Sequence, residues 1–188
     1  MQTAGRVLTN EFRHFTDEMN RLLAVTVTQA RLMKEPRPDV GLRFLSFGGE
    51  GFAPIYSPKY GDLRLSIQQI CGTTEREGQT CLCTVAYSYG VGPADRDDPL
   101  FRWDYERARK DPEKRYCRHH LQGGMTINLG AEPFHFNKQH MPTGYVPVEE
   151  VLRFCIVDLG VTPLKDDWNE HLDSSYETFL RRFGRLPE

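Results

Sequence analysis

Residues 62–92 read DLRLSIQQICGTTEREGQTCLCTVAYSYGVG, and this stretch decides the fold. Two runs rich in apolar, β-branched and aromatic residues flank the polar segment TTEREGQ at residues 73–79. Two strand-like runs joined by a short polar segment that contains a glycine are typical of a β-hairpin. The sequence therefore predicts an antiparallel strand pair at the centre of the chain.

Further strand-like runs lie on both sides of this hairpin. They are LRFLSFGGEGFAPIY at 42–56, LFRWDYER at 100–107 and RYCRHHLQG at 115–123. Short polar segments with proline or glycine separate them, as expected for turns. Residues 41–130 are therefore predicted to form an antiparallel β-meander of about four to six strands.

Helical periodicity appears at both ends of the chain. Apolar residues at three- and four-residue steps predict a helix from about Gly5 to Glu35, within an N-terminal helical segment at 1–40. This signal weakens in AVTVTQARLM at 24–33, which is rich in β-branched residues. Residues 145–188 are predicted to contain two helices packed on one sheet face. The expected fold is a single α+β domain over residues 1–188.

Composition limits the function classes. The formal net charge of −2 gives no global basic field, so nucleic acid would have to meet a local basic patch. Five cysteines are an odd number without the regular spacing of a disulfide scaffold, which favours reduced thiols. The sequence has neither a signal-peptide pattern nor a run approaching the roughly 20 apolar residues of a membrane span. We therefore expect a cytoplasmic protein without a membrane partner.

One candidate site arises where the run at 100–107 faces the run at 115–123. Asp104 is expected opposite either His119 or His120, depending on the register of the two strands. The two histidines point to opposite faces, so only one joins Asp104. Histidine beside a carboxylate is suited to acid–base catalysis, and Arg102 would hold phosphate. The alternative interpretation is a polar sheet face with ordinary ion pairs.

The hairpin between these strands is basic and aromatic. Arg102 and Arg118 lie at the two ends of a segment that contains further arginines and lysines. Trp103 and Tyr105 lie among these charged residues. Cations that contact phosphates, together with rings that stack on bases, are typical of single-stranded nucleic-acid binding. We therefore predict RNA or a nucleotide as the partner, with a solvated hairpin tip as the alternative.

A metal site is the weaker prediction, and we expect no cofactor. Cys81 and Cys83 share one strand face, and so do Cys117 and His119, giving four potential zinc ligands. Residues two apart in a strand are separated by nearly 7 Å, which departs from the usual zinc-knuckle spacing on a tight turn. Zinc bound by these four residues is therefore kept only as an alternative.

The segments FRWDYER, HHLQG and HMPTGYVPVEEVLRFCIVDLG together resemble a group of small bacterial proteins. The likeness covers about residues 100–160, and the group includes TumE-type toxins of toxin–antitoxin modules and uncharacterised relatives. The matching positions are Arg102, Trp103, Asp104, His119 or His120, Pro142, Gly144 and Glu149. The chain departs from the group in its adjacent histidines and its longer N-terminal half. The resemblance implies that the Arg/Asp/His face is a site, that the protein is toxin-like, and that an antitoxin protein is its partner.

Two function classes remain open from the sequence. One is a metal-independent, ribonuclease-like protein in which His119 or His120 transfers protons, Asp104 orients the histidine, and Arg102 and Arg118 hold phosphate. The other is a non-catalytic protein-interaction or regulatory module. A pocket that joins Asp104, Arg102 and one histidine would favour the first class, whereas a broad exposed apolar patch would favour the second.

Overall fold

The computed structural model describes residues 4–35, 41–107, 117–128, 130 and 132–183. It confirms the α+β class, with one N-terminal helix, a large antiparallel sheet and two C-terminal helices. The helices are α1 (Ala4–Thr26), α2 (Val148–Val157) and α3 (Trp168–Phe183). The strands are β1 (Leu32–Glu35), β2 (Arg43–Phe47), β3 (Ala53–Ser57), β4 (Gly61–Arg76), β5 (Gln79–Pro93), β6 (Phe101–Glu106), β7 (His119–Gln122), β8 (Thr126–Asn128), β9 (Pro133–His135) and β10 (Met141–Pro142).

The predicted hairpin is the longest strand pair in the structure. Strands β4 and β5 pair from Leu63 opposite Pro93 to Arg76 opposite Gln79, with one register shift after Ile70. Glu77 and Gly78 close the hairpin, and both have positive φ angles, of 49° and 75°. Positive φ at both central residues is what a tight turn compatible with strand twist requires. The polar segment at 73–79 therefore contributes mostly to the strands, and only two of its residues form the turn.

Among the described residues, the segment 41–130 contributes six strands, β2–β7, to the main sheet, as predicted, and β1 and β10 extend this sheet to eight strands. Eight strands form one sheet in the order β1-β2-β4-β5-β6-β7-β10, with β3 paired to β4 beside this path. Both β2 and β3 lie along the same edge of β4, the first opposite residues 68–71 and the second opposite 61–65. A glycine-containing turn connects them, with positive φ angles at Gly49 and Gly51. Strands β8 and β9 form a separate pair.

The N-terminal helix is shorter than the sequence predicts. It ends at Thr26, and Leu32–Glu35 forms an edge strand paired with β2, so the expected helix to Glu35 is wrong over its last part. The β-branched residues near position 26 lower helix propensity. Asn20 also favours the reversal of the chain between α1 and β1. Its side chain accepts a hydrogen bond from Leu32 N at 2.7 Å and donates one to Leu32 O at 3.2 Å. Tertiary contacts therefore override the helical periodicity here.

The helices cover one face of the sheet. Leu65, Ile67, Tyr89 and Val91 are buried on that face and belong to one hydrophobic cluster with residues of all three helices. Phe154 of α2, for example, packs edge-on against Trp103 at 5.4 Å between ring centroids. Burying each such side chain stabilises the fold by roughly 1.5–3 kcal/mol. The opposite face is left for polar residues, and it carries the candidate site.

Among the described residues, no helix is both long enough and apolar enough to cross a membrane.

Candidate functional site

Strand register selects one of the two adjacent histidines. In the β6–β7 pair, Asp104 lies opposite His120, and Tyr105 lies opposite His119. Asp104 and His120 are therefore on the polar face, whereas Tyr105 and His119 point towards the helices. The prediction that the two histidines diverge is confirmed. The structure also decides which of them meets the carboxylate.

The Asp104 carboxylate is the centre of the site. Its Oδ2 atom accepts hydrogen bonds from Arg102 Nε at 2.8 Å and from Gln122 Nε2 at 2.6 Å. The His120 Nε2 atom lies 3.6 Å from the same oxygen. Arg102 and Asp104 share a face because they are two residues apart in β6, and Gln122 and His120 are related in the same way in β7. Three polar side chains thus converge on one oxygen.

His120 is held in one orientation by a backbone contact. Its Nδ1 atom is 3.0 Å from the carbonyl oxygen of Cys117. A carbonyl only accepts hydrogen bonds, so Nδ1 carries the hydrogen, and in the neutral ring the lone pair is on Nε2. The ring is 7% exposed, compared with 41% for the Arg102 side chain. The site therefore presents a mostly buried imidazole beside a more accessible cation.

His140 completes this cluster. Its ring meets that of His120 edge-on, with 4.6 Å between the ring centroids. The short strand β10 brings it there, because Pro142 pairs with His120 and Met141 with Leu121. From the sequence His140 is only a loop histidine without an assigned role, because a two-residue strand has no periodicity that would place it beside His120. Gln122 was also missed, although strand alternation from His120 would have placed it on this face.

His119 is a packing residue in this structure. Its ring stacks on Tyr105 at 4.3 Å and 5°, and it meets the Tyr145 ring edge-on at 5.8 Å. Neither ring nitrogen has a hydrogen-bond partner among the described residues. Burial, followed by the charges of Arg118 and His120, lowers the pKa of His119 below its ordinary value. The structure therefore does not bring the candidate catalytic residue His119 to Asp104.

The remaining candidates for substrate binding are divided between the two faces. Trp103 and Tyr105 are buried on the helix-covered face, so the structure does not offer their rings to bases at the Asp104 site. Arg118 is exposed just before β7 begins. The tip of the basic hairpin, residues 108–116, lies outside the described residues. Arg102 is therefore the predicted phosphate contact that the structure places directly beside Asp104.

The four alternative zinc ligands do not converge. In the part of the chain that the structure describes, no group of three or more His, Cys, Asp and Glu side chains is arranged to hold a metal ion. Cys81 and Cys83 lie on β5 opposite Thr74 and Gly72, whereas β6 separates β5 from β7. The four residues therefore do not form one cluster in the part of the chain that the structure describes.

A polar groove runs beside the Asp104 cluster on the same sheet face. Its volume is about 620 Å³, and its floor includes Ser66, Gln68, Gly90 and Gly92. Gly90 pairs directly with Arg102, and Ser88, the partner of Asp104, pairs with Gln68. The groove also contains Arg64, whose guanidinium lies 5.2 Å from the centre of the Phe52 ring. The groove and the cluster are therefore neighbouring parts of one polar surface.

The fold and site define an α+β protein with helices on one sheet face and a histidine–aspartate–arginine cluster on the other. Comparison of the chain with protein-family models, curated proteins and solved structures gives no match.

Proposed function

We propose that this protein acts on RNA or a nucleotide through a metal-independent acid–base centre at His120. Asp104 stabilises the protonated form of this histidine, and Arg102 binds a phosphate group. One observation carries the proposal: Arg102 Nε and His120 Nε2 approach the same Asp104 oxygen, at 2.8 and 3.6 Å. A carboxylate beside an imidazole stabilises the imidazolium that forms when the ring takes a proton.

The proposed reaction on RNA uses the substrate's own 2′-hydroxyl group. His120 Nε2 takes the hydroxyl proton, and the oxygen attacks the adjacent phosphorus. The bond from phosphorus to the 5′ oxygen breaks, and protonated His140 supplies a proton to that leaving oxygen. Arg102 stabilises the charge on the phosphate during transfer. The products are a 2′,3′-cyclic phosphate and a 5′-hydroxyl end.

The groove beside the cluster supports an extended substrate. Arg64, which lies 3.9 Å from the Asp97 carboxylate, supplies a second cation along the same face. We assign to Phe52 the base-stacking role that the buried Trp103 and Tyr105 do not fill. In this arrangement the phosphate of the scissile bond lies at Arg102, and a neighbouring nucleotide lies towards Arg64.

The experiment compares RNA and DNA oligonucleotides of one sequence, incubated with the full chain in the presence of EDTA. We expect cleavage of the RNA only, with cyclic-phosphate products identified by mass spectrometry. His120→Ala should lower the rate by about 10²–10⁴-fold, and His140→Ala should have a similar effect. His14→Ala is the matched control, because His14 is an exposed histidine on α1. Circular dichroism verifies that each variant is folded.

Cleavage that survives His120→Ala and His140→Ala would contradict the proposed centre. Binding of RNA that depends on Arg102, without cleavage, would place the protein in the non-catalytic binding class instead.

The toxin-like role is part of the same proposal. A protein that cleaves cellular RNA slows growth when it is expressed alone, and an antitoxin protein would relieve this effect by covering the polar face. We therefore expect expression of the wild-type chain to slow bacterial growth, and expression of the His120→Ala variant to leave growth unchanged. If both chains inhibited growth equally, the toxicity would not depend on the His120 centre.

A further inference from the structure

A second cavity lies on the opposite side of the sheet, among the three helices. Its volume is about 550 Å³, within the range of about 300–1,000 Å³ that is usual for small-molecule sites. Helices α1 and α3 form its walls, residues of β4 and β5 form its floor, and the beginning of α2 closes one end. The proposed RNA site uses none of its lining residues.

The cavity has an apolar wall and a polar end. Phe15, Met19 and Leu22 of α1 contribute the apolar wall. At the polar end, Tyr89 donates a hydrogen bond to Gln69 Oε1 at 2.8 Å, and Gln69 Nε2 donates one to Thr84 at 2.9 Å. The polar groups of Tyr89 and Gln69 are therefore largely satisfied by each other and by Thr84. Their mutual hydrogen bonds hold the floor of the cavity in a fixed shape.

Glu149 is the ionisable group at this polar end. It is 4% exposed, and Ser175 donates a hydrogen bond to its Oε1 atom at 2.6 Å. A carboxylate has about four acceptor positions, so the Ser175 hydroxyl and the Glu149 backbone N–H leave capacity for a ligand. Among the residues that the structure describes, no lysine, arginine or histidine forms a salt bridge with Glu149. Glu149 therefore has no salt-bridge partner among the described residues, and the cavity that it faces is also lined by Arg21, Lys165 and His171.

The electrostatics of Glu149 agree with this geometry. Burial raises the pKa of its carboxyl group, the hydrogen bonds from Ser175 and from its own backbone N–H oppose this increase, and the neighbouring Glu150 adds to it. A ligand ammonium group at the carboxylate would supply the missing positive charge and favour the ionised form.

We infer that this cavity binds a small molecule with an apolar or aromatic body and a basic amino group. The body packs against Phe15, Met19 and Leu22, and the ammonium group donates hydrogen bonds to Glu149. A charge-assisted hydrogen bond of this kind distinguishes the amine from neutral molecules of the same shape. The inference is independent of the proposed action on RNA, because the two sites lie on opposite sheet faces.

The test uses three probes of similar size: 2-phenylethylamine, 2-phenylethanol and 3-phenylpropanoate. Calorimetric titration of the full-length protein at neutral pH should show saturable binding of the amine, about tenfold tighter than binding of the alcohol. The carboxylate probe should bind more weakly than both. RNA cleavage by the same preparation provides a separate reading of the other site.

Variants then assign the binding to this cavity. Glu149→Gln should remove the roughly tenfold preference for the amine while leaving the alcohol unaffected. Glu150→Gln is the matched control, because Glu150 is an exposed neighbour in the same helical turn. Ala24→Phe, which adds a ring at the α1 wall, should weaken binding of both probes even if Glu149→Gln does not fold. The inference is overturned if no probe binds saturably, or if the amine preference survives Glu149→Gln in a folded protein.

Discussion

The two adjacent histidines show which features of the site can be predicted from single residues. Alternation along a strand is sufficient to predict that His119 and His120 point to opposite faces. Which of them meets Asp104 depends on register, and register here is set by long-range pairing of β7 with both β6 and β10. A shift of one residue would exchange the two rings. The meeting of one histidine with Asp104 could therefore be predicted from the sequence, whereas the identity of that histidine could not.

We predict that His119→Phe preserves RNA cleavage and makes stability less sensitive to acid. Phenylalanine can keep the stack on Tyr105, and His119 loses no hydrogen bond that the described structure contains. The lowered pKa of His119 means that the unfolded chain takes up a proton more readily than the folded chain. The stability associated with neutral His119 is thus present above about pH 6.5 and decreases as the pH falls below it.

Urea denaturation at pH 7.5 and pH 5 measures this effect. The loss of stability between the two pH values should be smaller in His119→Phe than in the wild-type chain. If a folded His119→Phe protein lost RNA cleavage, the helix-covered face of β7 would have a direct role in the reaction.

At the scale of elements, long and regular segments were predictable and short ones were not. The β4–β5 hairpin and the helix α2 have strong local signals, with paired strand runs in one and Glu149 and Glu150 in the first turn of the other. Strand β10 has only two residues and exists through its pairing with β7. Local periodicity predicts helix over strand β1, because the strand forms only through its pairing with β2. Pairing energy between distant segments is not visible in local periodicity.

We predict that Gly123→Ala destabilises the β6–β7 region by about 1–3 kcal/mol and weakens RNA cleavage. A Cβ atom at Gly123 would lie 1.9 Å from the carbonyl oxygen of Leu100, so the backbone just before β6 would have to move. This displacement would disturb the pairing of Arg102 with Gln122 and, through it, the Asp104 cluster. Gly144→Ala is the control, because a Cβ atom there meets nothing within 4 Å. If the two variants unfolded at the same urea midpoint, the close approach of Gly123 to the Leu100 carbonyl oxygen would be contradicted.

At the scale of the whole molecule, the sheet separates two environments. Its helix-covered face contains the hydrophobic cluster and the cavity with Glu149, and its other face contains the Asp104 cluster and the polar groove. Strand alternation alone assigns side chains of β6 and β7 to these two environments. Strands β4 and β5 carry residues of both the cavity and the groove, so a ligand in the cavity and a substrate in the groove would act on one continuous sheet.

This arrangement predicts that the sheet and the C-terminal helices unfold together. Cys71 in β4 and Cys155 in α2 are both fully buried, and burial raises the pKa of Cys155 to about 12 and that of Cys71 well above its ordinary range. Neither thiol should react with Ellman's reagent in the folded protein, because the thiolate is the reacting species. A chain in which Cys81, Cys83 and Cys117 are replaced by serine leaves these two thiols as reporters.

The reaction of each thiol is followed as urea increases, using further variants that retain only Cys71 or only Cys155. If the sheet and the C-terminal helices unfold as one cooperative unit, both thiols become reactive at the same urea midpoint and with the same dependence on urea. This midpoint then coincides with the loss of circular dichroism. Reaction of Cys155 at lower urea than Cys71 would show instead that α2 separates from the sheet before the sheet unfolds. In that case the cavity would open without loss of the Asp104 cluster, and the two faces would behave as separate units.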